Sequence, residues 1–332
     1  MSDSLDNRCR DLLVDLELIE RADSIEVVSL TGGVSSEIAR VTVGSDSYCT
    51  KFALAKLKVE ADWRAPVHRN AAEYNWLKFT SKICPQNVPN LYGRSIALNG
   101  FAMGFVSGND VRLWKADLFS NGVNLVDIAA VASVLGEIHQ ASSRADFHCS
   151  AFDNMQDFYA LRLEPYFASL VEKHPNLSAQ ISHLIALQQE TQPALIHGDV
   201  SPKNIMFKGD VPIFLDAECA TMGDPAFDVG FCLNHLLLKA VHMPHRAGDF
   251  IDAAGHFWNV YTSYIDWEDP AECQRRLAVL LPAFLLARID GKSPVEYLSE
   301  QARNRVRNFA LPNIETPLAS LAELINDFRE AL

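Results

Sequence analysis

A short polar segment separates two apolar ones in LIHGDVSPKNIMF, residues 195–207. Within it lie His197, Asp199, Lys203 and Asn204. Such residues can form an ordinary surface turn, or they can form a loop that binds and orients reacting groups. Because apolar residues flank the segment on both sides, we expect short buried strands to hold the loop at its two ends.

The spacing within this loop is typical of phosphoryl transfer. Kinase catalytic loops follow H-R-D-x-x-x-x-N, and here His197-Gly198-Asp199 is followed, after four residues, by Asn204. The reaction needs a hydroxyl nucleophile in line with the phosphate, metal ions on the phosphates and cationic groups near the developing charge. Asp216, in IFLDAE, follows at the end of a predicted hairpin, where it could reach the same metal ion as Asn204.

Together, HGDVSPKN and FLDAECATMGDPAFDVG resemble the aminoglycoside phosphotransferase and choline kinase-like family of small-molecule kinases. That family carries HxDxxxxN, then a metal-binding Asp, then a GDPxxD segment. The resemblance is strongest over residues 195–231, moderate over 30–80 and weak elsewhere. It implies a protein-kinase-like fold, ATP and Mg²⁺ as cofactors, and a hydroxyl of a small molecule as the phosphoryl acceptor.

The resemblance also implies a role for each polar residue. Asp199 matches the catalytic aspartate that accepts or orients the proton of the acceptor hydroxyl. Asn204 and Asp216 match the magnesium ligands, and two protein ligands suffice for an ion that retains waters. Asp228 matches an aspartate that braces the catalytic loop, and His197 matches a histidine that packs and hydrogen-bonds. Each acid could instead be a helix cap or a turn residue, as Asp commonly is.

Lys203 is less expected, because many relatives have a small residue beside the metal-binding Asn. As a hypothesis, its ammonium group reaches the γ-phosphoryl oxygens in the transition state and contributes to catalysis. The alternative is a solvated loop lysine.

The resemblance implies that the first third of the chain binds the nucleotide. The family pairs a Lys on the third strand with a Glu on the next helix, and Lys51 in YCTKFAL and Glu73 in RNAAEYNWL match these positions. Lys56 and Lys58 are alternatives to Lys51, but they fall at or beyond the predicted end of the strand. Alternation places Cys49 on the same face as Lys51 and toward the adenine. Glu73 could also be an exposed helix acid.

Two further segments are candidates for nucleotide contacts. TGGVSS, residues 31–36, stands where a loop would cover the phosphates, although two adjacent glycines are also typical of a plain hairpin turn. Gly32 and Gly33 would allow the backbone to approach the phosphates closely, and Ser35 and Ser36 would supply hydroxyl and amide donors. In FAMGFVSG, residues 101–108, the backbone from Met103 to Phe105 matches the hinge that binds the adenine edge.

Hydrophobic periodicity predicts strands first and helices later. Strand patterns occur at 24–30, 37–43, 47–54, 90–98 and 100–108, with helices at 5–18 and 66–82. Helical patterns follow at 124–142, 155–173, 177–191, 225–241, 246–266, 270–290, 293–309 and 316–331, interrupted by paired strands at 204–207 and 211–218. We therefore predict an α+β chain with two lobes. Residues 1–106 would form an antiparallel five-stranded N-lobe that clamps the nucleotide, and residues 107–332 a mainly helical C-lobe with the catalytic loop and acceptor site.

Composition limits the classes of partner. The 332 residues carry a net charge of −13, with 48% apolar and 21% charged residues. An acidic chain argues against a nucleic-acid or anionic-membrane partner. Seven cysteines without a CxxC pair argue against a disulfide framework or a zinc site. With no apolar signal core at the N-terminus, we expect a cytoplasmic protein.

Two questions stay open at this point. Only eleven residues separate Asp216 from Asp228 and no A-P-E follows, which favours a small acceptor over a peptide, but a nucleotide-binding pseudokinase without turnover is an alternative. A neutral polyol or sugar is as compatible with the sequence as a cationic amino alcohol or aminoglycoside. Candidates for contacting a cation are Glu218, Asp266, Trp267, Glu268 and Asp290.

Overall fold

The strands of the first third form one antiparallel sheet. A computed structural model describes residues 4–30, 36–54 and 66–332. Within these ranges, five strands pair in the order β1-β2-β3-β5-β4. They are β1 (Glu26–Leu30), β2 (Ser36–Val43), β3 (Asp46–Ala53), β4 (Leu91–Ser95) and β5 (Gly100–Gly104). The predicted α+β class with a five-stranded antiparallel sheet is confirmed.

Side chains of β3 alternate between two faces of this sheet. On one face, Thr50 Oγ1 lies 3.2 Å from Sγ of Cys9 on helix α1 (Leu5–Asp15). On the other face, Lys51 contacts Glu73 on helix α2 (Asn70–Ile83). The alternation thus directs Lys51 away from α1 and toward α2.

The remaining chain is mainly helical and surrounds a long central helix. The helices are α3 (Trp114–Ser120), α4 (Leu125–Ser142), α5 (Met155–Phe158), α6 (Leu170–Lys173), α7 (Ser178–Glu190), α8 (Pro225–His242), α9 (Ala247–Tyr261), α10 (Pro270–Asp290), α11 (Glu300–Glu315) and α12 (Leu321–Ala331). A π-helical segment, Tyr159–Ala168, connects α5 to α6. Helix α8 packs between α9 and α10, and its residues 225–241 are all buried. None of the helices in the described ranges is long and apolar enough to cross a membrane.

Short strands hold the segment between residues 197 and 204. Strand β7 (Ala194–Ile196) precedes it and pairs with β10 (Thr221–Gly223). Strand β8 (Ile205–Lys208) follows it and lies between β6 (Val111–Leu113) and β9 (Val211–Phe214). The predicted pairing of 204–207 with the strand beginning at 211 is confirmed.

One predicted helix begins later than its hydrophobic pattern indicates. The pattern predicts a helix over 293–309, but α11 begins at Glu300. Pro294 has no backbone N–H to donate, and the side chain of Ser299 caps α11 by accepting the Ala302 N–H at 3.3 Å. Residues 291–299 therefore form a connection between α10 and α11 instead of a helix.

Candidate active site

The loop after β7 is fixed by a carboxylate at the start of α8. Asp228 Oδ2 accepts the His197 N–H at 2.6 Å, and Asp228 Oδ1 accepts the Gly198 N–H at 2.8 Å. The same carboxylate lies 3.3 Å from His139 Nε2, and Asp228 is fully buried. Two backbone donors bound by one buried carboxylate give the loop little freedom, as the bracing role predicted for Asp228 requires.

His197 has both ring nitrogens occupied within the protein. Its Nδ1 accepts the Asp199 N–H at 3.2 Å, so the ring proton lies on Nε2, which donates to the Leu215 carbonyl at 3.0 Å. Its ring packs edge-on against Trp76, with the centroids 4.8 Å apart. Burial lowers the pKa of His197, which is consistent with this neutral form. These contacts give His197 the packing role that the sequence predicts.

Gly198 occupies a position that a larger residue cannot enter without strain. Its φ is +77°, and a Cβ atom there would lie 2.8 Å from both Cβ and the carbonyl oxygen of Cys219. Gly198→Ala should therefore lower the free energy of unfolding by about 2–4 kcal/mol, combining a left-handed backbone with steric overlap. Gly44, with φ +57° and open space around its Cβ position, offers the matched control. Urea unfolding should show a smaller loss for Gly44→Ala, of about 1–2 kcal/mol, and equal losses would contradict the assigned overlap.

Asp199 lies among cationic groups. Its Oδ2 accepts from Arg162 Nη2 at 2.8 Å and lies 3.4 Å from Lys203 Nζ. Burial by itself raises the pKa of the Asp199 carboxyl, but Lys203 and Arg162 lower it by more, so that the pKa lies below its ordinary value. Asp199 is thus held as a carboxylate, and its affinity for a proton is weakened.

Arg162 was not singled out by the sequence. It lies in the π-helical segment, is buried, and also donates from Nε to the Gly198 carbonyl at 2.7 Å. The one signal in the sequence was a lone arginine within the apolar context of YALRLEPYF. A lone arginine does not indicate which carboxylate it pairs with, since Asp199 is distant along the chain.

Lys203 and Asp199 are positioned on the same short loop. The Lys203 side chain is half exposed, at 50%, and Asp199 raises its pKa above the ordinary value. The ammonium group is therefore charged and accessible to a ligand beside Asp199.

A buried lysine joins three segments of the chain. Lys51 Nζ donates to Glu73 Oε1 at 2.8 Å and also forms an ion pair with Asp216. Burial lowers the pKa of Lys51, but Asp216 and Glu73 raise it by more, so its pKa lies above the ordinary value. A charged Lys51 therefore connects β3, α2 and the segment that follows β9.

Asp216 and Asn204 supply oxygen atoms on adjacent segments. The Leu215 N–H donates to the Asn204 carbonyl at 2.9 Å, and Asn204 Nδ2 donates to the Asp199 carbonyl at 3.1 Å. Asp216 has φ +67°, a conformation that is sparsely populated outside glycine and is common at functional sites. With Nδ2 of Asn204 engaged, its Oδ1 and the Asp216 carboxylate offer the hard oxygen donors that suit Mg²⁺.

The structure describes only some of the other residues predicted to contact the nucleotide. Gly32, Gly33 and Ser35 lie outside the described residues, as do Lys56 and Lys58, and Ser36 begins β2 as a buried residue. Met103 lies within β5, paired with both Cys49 and Leu91. The Phe105 N–H donates to the Ser47 carbonyl at 3.4 Å. Sheet contacts thus engage this backbone, and adenine binding by Met103 and Phe105 stays a prediction.

A cavity of about 150 Å³ opens beside Asp199 and Lys203. The loop after β7, α3, the π-helical segment, α8, the end of α10 and the connection from 291 to 299 surround it. The residues that line it are Lys115, Tyr166, Asp199, Pro202, Lys203, Phe231, His235, Lys239, Arg288, Ser293, Val295, Glu296 and Tyr297. Most of them come from segments for which the sequence predicts only helix or turn.

Solved structures of kinases resemble this chain in fold. One is an amicoumacin kinase in complex with AMP-PNP, Ca²⁺ and Ami, at TM-score 0.55 and 14% identity, covering 89% of this chain and 90% of that one. A second is an ethanolamine kinase from Plasmodium vivax, at TM-score 0.55 and 14% identity, covering 100% and 88%. A third is a choline/ethanolamine kinase family protein from Mesorhizobium loti, at TM-score 0.52 and 16% identity, covering 98% and 100%. At these identities the likeness shows the fold alone, which confirms the predicted protein-kinase-like architecture.

The sequence of the chain also matches a protein family. No curated protein matches the chain. The model of the phosphotransferase enzyme family, however, matches residues 26–273, which include the paired Lys51 and Glu73 and the whole segment from Asp199 to Asp228. Because that match spans well over half of the 332 residues, the chain belongs to the phosphotransferase enzyme family.

Proposed function

We propose that this protein transfers the γ-phosphoryl group of ATP to a hydroxyl group of a small molecule. The observation that carries this proposal is the ion pair between Lys51 and Asp216, which joins the predicted nucleotide clamp, residues 1–106, to the predicted catalytic lobe, residues 107–332. Asp199 lies nearby with an accessible cavity beside it. The names of the similar structures add support, since they include an ethanolamine kinase and a kinase complexed with AMP-PNP and Ca²⁺.

Each proposed role uses an atom that the fold has already positioned. Lys51 carries a charge with which to bind phosphate oxygens, and Glu73 holds it in place. Asp199 accepts a hydrogen bond from the acceptor hydroxyl and takes its proton as the new P–O bond forms and the bond to the ADP oxygen breaks. Asn204 and Asp216 would hold Mg²⁺, which neutralises charge on the phosphates.

The lowered pKa of Asp199 affects when it takes the proton of the acceptor hydroxyl. A carboxylate whose pKa is held down by two cations orients the hydroxyl well but removes its proton late. This suits a loose transition state, in which the leaving bond is largely broken before the nucleophile has bonded. Orientation of the hydroxyl by a rigid loop then adds to the proton transfer that Asp199 carries out.

A coupled assay of ADP release, with ATP, Mg²⁺ and a panel of alcohols, tests the function. The panel should include sugars, ribosides, amino alcohols, hydroxy acids and aminoglycosides. Turnover that requires both ATP and one acceptor supports the proposal. ATP binding in calorimetry without ADP release under any condition would favour a nucleotide-binding module instead.

Lys203→Ala tests the catalytic contribution proposed for this lysine. If the ammonium group contacts the transferring phosphoryl group, kcat should fall by roughly 10- to 100-fold, toward the low end because the side chain is half exposed. Steady-state kinetics with saturating ATP and acceptor measures this. Lys208→Ala removes an exposed lysine from the end of β8 and should leave kcat unchanged. An unaltered kcat in Lys203→Ala would show that Lys203 is only a solvated loop residue.

A further inference from the structure

The cavity beside Asp199 has an excess of positive charge, although the whole chain carries −13. Two carboxylates line it, and each contacts a lysine: Glu296 lies 2.9 Å from Lys115, and Asp199 lies 3.4 Å from Lys203. The lining also contains two more cationic side chains, from Lys239 and Arg288. These two have no carboxylate partner within the described part of the chain.

Lys239 is the more unusual of the two, because it lies in the buried helix α8 and is only 1% exposed. Among described residues, its Nζ donates one hydrogen bond, to the His235 carbonyl at 3.3 Å, and lies 5.2 Å from the centroid of the Phe119 ring. A buried ammonium group without a counter-charge is unfavourable. Burial is the main reason that the pKa of Lys239 is lowered to about 7, and nearby Lys115 and Arg288 contribute to the same shift.

Arg288, near the end of α10, lines the same cavity. Its Nη1 donates to Ser293 Oγ at 2.9 Å and lies 3.4 Å from the Tyr166 hydroxyl, which holds the guanidinium in place. Its Nε and the hydroxyl of Tyr297 are buried and have no hydrogen-bond partner in the described ranges. A cavity lined by two cationic side chains without carboxylate partners is complementary to an anion.

The four carboxylates that the sequence offers as contacts for a cationic acceptor are hydrogen-bonded to other side chains. Glu218 accepts from Arg69 at 2.9 Å, and Glu268 accepts from Arg276 at 2.7 Å. Asp266 accepts from Gln140 at 3.0 Å, and Asp290 accepts from Arg307 at 2.9 Å. Neither these four nor Trp267 lines the cavity. An amino alcohol or aminoglycoside would therefore meet mostly positive charge there.

We propose that the phosphoryl acceptor is an alcohol that also carries an anionic group, a carboxylate or a phosphate, which Lys239 and Arg288 bind. This assignment rests on the phosphotransferase function proposed above and specifies the substrate class. The anion would supply the counter-charge that the two cations lack. Since Asp199 lines the same cavity, a hydroxyl of the bound molecule would lie within reach of its carboxylate.

Two matched series of acceptors test the charge preference. The first comprises glycerol, 2-amino-1,3-propanediol, glycerate and glycerol 3-phosphate. The second comprises glucose, glucosamine, gluconate and glucose 6-phosphate. Within a series, kcat/KM should be at least about tenfold higher for an anionic member than for the neutral or amine member, since a charge-assisted hydrogen bond contributes that much. The carboxylate and phosphate members distinguish the two anions, and a preference for the neutral or amine members would overturn the proposal.

Lys239→Met tests the residue itself, because it keeps the length of the side chain and removes its charge. KM for the anionic acceptor should rise by roughly 10- to 100-fold with KM for ATP unchanged. Arg288→Met provides a second, independent variant should Lys239→Met fail to fold. Lys292→Met, which removes an exposed lysine paired with Glu164 outside the cavity, is the control and should behave as the unmodified protein. An equal effect of Lys239→Met on all members of a series would contradict anion binding.

A binding measurement separates failure of this inference from failure of the proposed function. If no alcohol is phosphorylated, the phosphotransferase proposal loses support, but calorimetric titration with inorganic sulfate still tests the cavity. Binding of sulfate that is lost in Lys239→Met and retained in Lys292→Met supports an anion site. Sulfate binding that is absent, or equal in both variants, overturns it.

Discussion

Asp199→Asn should lower kcat by roughly 10²- to 10⁴-fold, the range expected when a general base is removed. The amide is nearly the same size and can still accept from Arg162, which now donates to Asp199 at 2.8 Å. It can neither take the proton of the acceptor hydroxyl nor offset the charges of Arg162 and Lys203. Coupled measurement of ADP release at saturating substrates gives kcat, and circular dichroism establishes that the variant is folded.

The affinity for ATP distinguishes a chemical role of Asp199 from a structural one. If Asp199 acts on the acceptor hydroxyl, the dissociation constant for ATP should change little. Asp210→Asn, in the exposed turn between β8 and β9, removes a carboxylate from the same region and should leave kcat unaltered. An Asp199→Asn protein that turns over at the normal rate would exclude Asp199 as the base.

Asp216→Asn should have the second large effect, a loss of roughly 10²- to 10³-fold in kcat at ordinary Mg²⁺ concentration. This corresponds to the several kcal/mol of charge stabilisation that a bound metal ion supplies. Asn tolerates the left-handed backbone better than most residues, so the φ of +67° can be kept. Lys51 keeps its contact with Glu73, which limits structural damage.

The dependence on metal makes this prediction specific. The Mg²⁺ concentration needed for half-maximal turnover should rise in Asp216→Asn, and chelation with EDTA should abolish turnover of the unmodified protein. Asp210→Asn again serves as the control and should show an unchanged Mg²⁺ requirement. Identical Mg²⁺ dependence in Asp216→Asn and the unmodified protein would remove Asp216 from the proposed metal ligands.

Much of the predicted architecture follows from local patterns. Alternation along YCTKFAL is sufficient to place Lys51 opposite Thr50, because neighbouring residues of a strand point to opposite faces. The hairpin of β8 and β9 follows from two short apolar runs separated by a turn, and it brings Asp216 close to Asn204. The face on which Lys51 lies and the hairpin of β8 and β9 were predictable because each depends on a few residues that are near each other in sequence.

Other contacts depend on how distant segments pack. The ion pair of Arg162 with Asp199 joins a π-helical segment to the catalytic loop, and no spacing in the sequence relates the two residues. Helix α8 is buried on all sides, so its pattern has no polar face from which an unusual Lys239 could be recognised. The connection over 291–299 has an apolar pattern that also fits a helix, and Pro294 and the Ser299 cap decide against it.

The sequence by itself determined the order of elements, the phosphotransferase family and the residues proposed to act on the phosphoryl group, because these depend on motif spacing and on the period of strands and helices. Only the tertiary structure decided the charge of the cavity beside Asp199. That charge is the sum of side chains from the loop after β7, α3, α8, α10 and the connection after α10. Of these, only the loop after β7 has a distinctive local sequence. Whether Lys239 or Arg288 has a counter-ion depends on which carboxylates lie near it in space, and the nearby acids are already paired with other cations.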